Sequence, residues 1–360
     1  MKKSILFVTN HLEYSNGVAS VLVDLVNALD KDKYDVTILA IFRCDKEYIQ
    51  RIDKAVKVKS IFNGYFRGQS KLLMLLPKKA LYKSWVKENY DVEIAFQYGL
   101  PTELIAKSCN KNAKQIAWIH TYGEEHLKIH KFYDLIVSCS KSGMEKYKSI
   151  FSQPQKVTYL YNLVKDDIIQ KKALEELNVE KKYDFTFCAV GRLSPEKGFD
   201  RLLRCHKRLI EEGYLHNLWI VGGGSEYDRL NAYIQANNLG DSARLFGAQK
   251  NPFNYMANCD MFLCSSRAEG FATVCVEAGI IGKSILSTDV SGAKEFVYDN
   301  KIGLMVQNDE DSLYQGMKEI LQNKDMIKLY EANLSKVPDM HYADRLRAVE
   351  EFFERKVEEV

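Results

Sequence analysis

Short apolar runs alternate along this chain with longer stretches in which apolar residues recur at helical spacing. The short runs read as strands and the periodic stretches as helices, the pattern of βαβ units on parallel sheets. In the first half the strand runs are SILFVT, DVTILAI, DVEIAF, QIAWIH and LIVSCS; in the second they are DFTFCAV, NLWIVG, ARLFG, MFLCSS and SILST. Helices fall between them, for example over residues 18–28 and 199–212. A polar, charged segment at residues 159–182 separates the two strand sets, and residues 342–360 read as one more amphipathic helix. The fold class is α/β, with domains at 1–165, 166–340 and a terminal helix at 341–360. Two open parallel sheets facing one another would place a cleft at the carboxyl ends of their strands, where such sheets bind ligands.

Composition narrows the class. At 360 residues, 46% hydrophobic and 28% charged, the chain has the make-up of a globular protein able to bury two cores. No apolar run approaches the roughly eighteen residues of a spanning helix. The opening MKKSILFVTN has the lysines of an export signal, but its apolar part is too short for a signal core and reads as a first strand. The eight cysteines form no CxxC pair, which suggests buried thiols in a reducing cytosol. The net charge of +3 hides an asymmetry: residues 1–165 hold 26 Lys+Arg against 16 Asp+Glu, and residues 166–360 hold 25 against 32. Halves of +10 and −7 suggest lobes that meet different partners.

Four stretches carry candidate chemistry. NLWIVGGGSEYDRL places Gly222, Gly223 and Gly224 after a strand but lacks GxGxxG spacing, as does the first strand's TNHLEYSNGV, so a dinucleotide-dependent redox enzyme is disfavoured. The triple glycine reads either as a tight strand–helix turn or as backbone that lets a flat base come close. Asn16 and Gly17 stand at the entry to the first helix, where free N–H groups meet a cap or an anion. In VGRLSPEKGFDRLL, Arg192 and Lys197 follow a strand, as a diphosphate leaving group would require; two solvated cations are the plain alternative. SRAEGFATVCVEAG sets Glu269 and Glu277 eight residues apart around a helix start. Eight helical steps span about 12 Å, beyond the roughly 5 to 9.5 Å of a glycosidase pair. The two carboxylates therefore suit hydrogen-bond acceptance from two parts of one long ligand.

Together the E-x7-E segment, VGRLSPEKGFDRLL and NGVASVLVDLVNALDKDKYDVTILA resemble the retaining, nucleotide-sugar-dependent glycosyltransferases of the GT-B fold, family 4, over nearly the whole chain. The resemblance implies two Rossmann-like domains facing across a cleft, with the last helix crossing back to the first. It implies that Glu277 binds the nucleotide ribose and Glu269 the donor hexose. Main-chain amides of Gly270, Phe271, Ala272 and Thr273 would meet hexose and diphosphate, Arg192 and Lys197 the diphosphate, and Gly17 with Asn16 would close over it. Gly223 and the strand end LFGAQKN, with Phe246 and Gly247, would lie against the base. The sequence departs from the family in having Asn16 for the first of two glycines and Ala272 for a common glycine. Both changes keep the main-chain donors and bear on which sugar fits.

His120, ending a first-half strand, resembles the family's histidine near donor sugar and acceptor, although an ordinary strand-end histidine would look the same. His126 and His130 share i, i+4 spacing, but no HExxH surrounds them, so no metal is expected. Residues 54–87 hold nine Lys/Arg and no Asp or Glu, interleaved with YF, LLMLL, LY and WV. This pattern suggests an anionic membrane surface, against a solvated basic face as the default, and no nucleic-acid module is present. The expectation is a cytoplasmic enzyme, peripheral at the inner face of the membrane. It would move a hexose or N-acetylhexosamine from a UDP-sugar to a saccharide or lipid-linked saccharide, without a metal or other cofactor. An epimerase or hydrolase of the same fold, or a non-catalytic partner protein, would share these motifs.

Overall fold

A computed structural model describes residues 2–13, 17–120, 127–337 and 341–357. The chain divides into two units, residues 1–163 with 345–360, and residues 164–344.

The first unit is a seven-stranded parallel sheet. Its strands are β1 (Lys3–Thr9), β2 (Tyr34–Ala40), β3 (Lys57–Ser60), β4 (Val92–Ala95), β5 (Lys114–Ile119), β6 (Leu135–Ser138) and β7 (Val157–Tyr159), in the order β3-β2-β1-β4-β5-β6-β7. Helices cover both faces, so the inner strands are apolar on both sides; Ile5, Leu6, Phe7 and Val8 of β1 are all buried. The pairing Ile5↔Val36 and Ile5↔Val92 sets the register on either side of β1.

The second unit is a six-stranded parallel sheet: β8 (Thr186–Val190), β9 (Asn217–Val221), β10 (Ala243–Leu245), β11 (Met261–Cys264), β12 (Ile285–Thr288) and β13 (Gly303–Val306), ordered β10-β9-β8-β11-β12-β13. The helix Phe199–Glu211 buries Phe199, Leu202, Leu203 and Leu209 against this sheet and leaves its polar face outward. The polar segment read as a separator contains the helix Asp166–Ala173. That helix is part of the second unit: Asn251 Nδ2 donates to Lys172 O at 2.8 Å, and Asn254 Nδ2 reaches Glu176 O just beyond it at 3.4 Å.

All ten strand runs read from the sequence are strands. The three not foreseen, β3, β7 and β13, are sheet edges. The chain returns to the first unit within the helix Tyr342–Glu351 and continues as the π-type turn Phe352–Lys356. Phe353 packs on Phe7 and Tyr34, with ring centroids 6.5 and 6.0 Å away, and Phe352 on Trp118 at 5.9 Å. Arg345 Nη1 donates to Asn162 O at 2.7 Å, fixing the point of return.

Candidate active site

In each sheet the strand order reverses once, between β1 and β4 and between β8 and β11. Loops leaving the carboxyl ends of such neighbours diverge to opposite faces and leave room for a ligand.

In the second unit those loops are residues 191–198 after β8 and 265–272 after β11. The first is pinned to its neighbour by main-chain bonds: Leu193 N–H donates to Gly223 O at 2.8 Å, and Leu193 O accepts from Glu226 N–H at 3.0 Å. This crossing explains two of the three consecutive glycines. Gly222 and Gly224 have φ of +149° and +156°, and a Cβ on either would lie 1.8 Å from Gly191 O or 2.3 Å from Leu193 O. The tight-turn reading thus accounts for the outer glycines; a Cβ on Gly223 would only press Ala248 Cβ, at 3.2 Å.

The second loop is held from beneath by a residue that sequence reasoning missed. Arg201, on the helix after β8, is buried. Its guanidinium donates to Ser265 O at 2.8 and 3.0 Å, to Ser266 O at 2.8 Å and to Asn308 Oδ1 at 2.7 Å. Thr288 Oγ1 adds a bond to Ser266 O at 2.7 Å. A planar fork that satisfies several buried carbonyls at once is a task for Arg rather than Lys. The two loops are also tied to each other. Arg267 binds Asp200 through both nitrogens at 2.7 and 2.8 Å and Pro195 O at 2.7 Å, while its N–H donates to Glu196 O at 2.7 Å. Burial pushes Asp200 upward, but these guanidinium bonds prevail and hold it well below the usual carboxylate range.

On this braced platform Lys197 Nζ lies 2.7 Å from Glu269 Oε1, which also accepts from Ser266 Oγ at 2.5 Å. The Glu269 side chain is only 10% exposed, so its geometry is set by the protein rather than by water. Glu277, within the helix Thr273–Ile280, is pushed up to about 7 by burial, which outweighs the opposing pull of Lys197. The structure therefore pairs Lys197 with Glu269, although 72 residues separate them. Arg192 stands more exposed, its Nη2 on Glu196 Oε1 at 2.9 Å. Phe271 and Ala272 are buried, and Thr273 N–H turns back onto Phe271 O at 2.7 Å. Gly247 O accepts from Gly222 N–H at 2.8 Å, and the Phe246 ring packs on Tyr255 and Trp219, with centroids 4.8 and 5.8 Å away.

In the first unit a pocket of about 170 Å³ opens beside the β1–β4 reversal, with Asn10, Gln97, Trp118, His120 and His130 in its lining. Gln97 Oε1 accepts from Thr9 Oγ1 at 3.0 Å and from Asn10 N–H at 2.8 Å, closing the gap between the two strand ends. His120 follows β5 and meets the Phe96 ring at 4.8 Å; burial lowers it to about 4, so it is neutral near pH 7. Among the described residues, His120 Nε2 and Trp118 Nε1 are buried without a hydrogen-bond partner, and buried polar atoms of this kind call for a water, an ion or a ligand group to complete their bonding. Trp118, Asn10 and Gln97 were not foreseen, because only the strand order brings them to one spot. Gly17 opens the helix Gly17–Ala28; Asn16 and His126 lie outside the described residues. His130 is buried against the Tyr147 hydroxyl, and among the described residues no group of three or more His, Cys, Asp or Glu is placed to hold a metal.

Comparison with known proteins gives this geometry its setting. The family model for glycosyl transferases group 1 matches residues 170–336. The chain is 32% identical over 255 residues to the N-acetylgalactosamine-N,N'-diacetylbacillosaminyl-diphospho-undecaprenol 4-alpha-N-acetylgalactosaminyltransferase of Campylobacter jejuni, a match spanning 68% of this chain and 67% of that protein. It is 26% identical to the lipopolysaccharide core biosynthesis glycosyltransferase LpsE of Rhizobium meliloti, over 88% of each. The Anabaena protein HepE, crystallised with UDP and glucose, shares the fold with a TM-score of 0.77 at 18% identity, over 98% of this chain and 99% of that one. Two parallel-sheet units together with this likeness make the fold GT-B.

Proposed function

Since the chain belongs to the glycosyl transferases group 1, and is thus an enzyme that transfers sugars, we propose that it moves a hexose or N-acetylhexosamine from a UDP-sugar, with retention at the anomeric carbon. The acceptor is a saccharide or lipid-linked saccharide used in cell-surface polysaccharide or glycoconjugate synthesis. The observation that carries this reading is the Lys197–Glu269 pair, 2.7 Å apart at the strand reversal of the second unit.

Each group has a task in such a transfer. Glu269, held by Lys197 and Ser266, accepts hydrogen bonds from donor-sugar hydroxyls, and charge-assisted bonds of this kind are the stronger sort. Lys197 stabilises the negative charge that develops on the leaving diphosphate oxygen, with Arg192 and the amides of Gly270, Phe271 and Ala272 assisting; the Thr273 amide is turned to Phe271 O. Glu277 accepts from the ribose hydroxyls. His120, neutral at working pH, offers a nitrogen to sugar or acceptor. In retaining transfer on one face the departing diphosphate takes the acceptor proton. Lys197, Arg192 and the helix start supply the positive charge, so this reading requires no metal. Likeness to an N-acetylgalactosaminyltransferase named for a diphospho-undecaprenol-linked saccharide and to a lipopolysaccharide core biosynthesis glycosyltransferase supports a cell-surface product.

A panel of nucleotide sugars, assayed for nucleotide release with excess chelator and product mass spectrometry, tests the reading. One UDP-sugar should be turned over only with a saccharide acceptor, and Lys197→Ala should lower the rate on the order of a hundredfold. Release of free or epimerised sugar without acceptor would instead make the protein a hydrolase or epimerase, and loss of activity with chelator would overturn the metal-free reading.

A further inference from the structure

We propose that the segment after β3 is a docking surface for an anionic lipid bilayer. Tyr65, Phe66, Leu72, Met74, Leu75 and Leu76 are all exposed, with Leu75 at 82%, Phe66 at 60% and Leu72 at 58%. A monomeric protein rarely gathers so many large apolar side chains on one patch of surface.

Their outward position is built in. The helix Gln69–Leu75 turns Gln69 and Leu73 inward, which points Leu72 and Leu75 away from the core. The next helix, Lys78–Trp85, is anchored by buried Tyr82, whose hydroxyl donates to Glu93 Oε1 at 2.5 Å. Between the helices Lys78 Nζ donates to Met74 O at 2.6 Å and Leu76 O at 2.8 Å, closing the end of the first helix.

Charge identifies the occupant. Not every cation of the acid-free stretch is available, because Lys57 pairs with Asp35 at 2.8 Å and Lys59 with Glu88 at 2.6 Å, both along β3 or its neighbours. Arg67, Lys71, Lys79 and Lys83 are exposed, and among the described residues no Asp or Glu forms an ion pair with any of them. An apolar tip ringed by cations fits a leaflet whose interior takes the leucines and whose headgroups meet the lysines. A second copy of this chain fits poorly, since a two-fold pairing would set each cation of the ring against its own kind. The surface is independent of the sugar-transfer reading, because neither donor nor acceptor enters the argument.

The test is flotation of the full chain with vesicles of phosphatidylcholine alone or in equal parts with phosphatidylglycerol, at low and high salt. Each exposed cation multiplies partitioning onto an anionic leaflet roughly fivefold, so the anionic vesicles should bind at least about tenfold more protein and release it in high salt. Leu72→Ser with Leu75→Ser, and separately Lys71→Glu with Lys79→Glu, should each abolish most of the binding while the melting temperature stays put. Absence of anionic preference, or binding that survives both double variants, overturns the proposal. Concentration-dependent self-association in sedimentation velocity, lost in the serine variant, would overturn it too and assign the patch to a second copy. Nucleotide release with a soluble acceptor should be unchanged in both variants, which separates failure of docking from failure of the transfer chemistry.

Discussion

Glu277 sits where a small change in surroundings alters its charge. With its pKa raised to about 7 by burial, it carries a proton part of the time at neutral pH. Ribose hydroxyls donating to it favour the ionised form, so bound nucleotide lowers its pKa again. The sign follows: affinity for UDP should rise as pH climbs through about 7, and binding at or below that pH should release a proton. Calorimetry in buffers of differing ionisation enthalpy measures both, and Glu277→Gln should weaken binding and flatten the pH dependence. The same dependence in the glutamine variant would place the titrating group elsewhere. Glu269, Glu277 and Lys197 were legible in the sequence because each lies in a short motif with a strand before it and a helix start beside it. Arg201 was not. In FDRLLRCHKRLIE it is one of several helix cations, and only the adjacency of β8 and β11 puts it under Ser265 and Ser266.

At the scale of elements, Arg201 decides how firmly the loop after β11 is placed. Arg201→Lys keeps a cation but loses the fork, leaving buried carbonyls of Ser265 and Ser266 short of donors, at a cost of about 1–3 kcal/mol. Chemical denaturation should show that loss in the second unit. Turnover should fall further than the population of folded enzyme does, since Glu269 moves with the loop; an unchanged turnover per folded molecule would make Arg201 a stability residue alone. Elements also show where sequence patterns stop informing. Inner strands announce themselves by continuous apolar runs because both faces are covered. The edges β3 (KVKS), β7 (VTY) and β13 (GLMV) are short, and β3 carries lysines on an exposed margin as edges commonly do. Nothing local distinguishes such a segment from a loop; the neighbouring strand makes it a strand.

For the whole molecule the informative feature is a unit assembled from two stretches of chain. Phe352 and Phe353 are buried in the first unit, on Trp118, Phe7 and Tyr34. Phe353→Ala should therefore destabilise that unit by about 3–5 kcal/mol, the usual range for emptying a buried aromatic site. Scanning calorimetry should show one transition moving down while the transition that UDP raises stays in place. A shift of the UDP-sensitive transition would mean that the tail supports the second unit instead.

That discontinuity bears on how the protein is made. The sheet of the first unit leaves the ribosome before the second unit, yet the segment that covers Phe7 and Trp118 follows only after an intervening 181 residues (164–344). At roughly 5–20 residues per second, the nascent sheet waits on the order of ten to forty seconds with an apolar face bare. The intervening unit meanwhile has all its own strands and can close before its predecessor is finished. The order of completion thus inverts the order of translation.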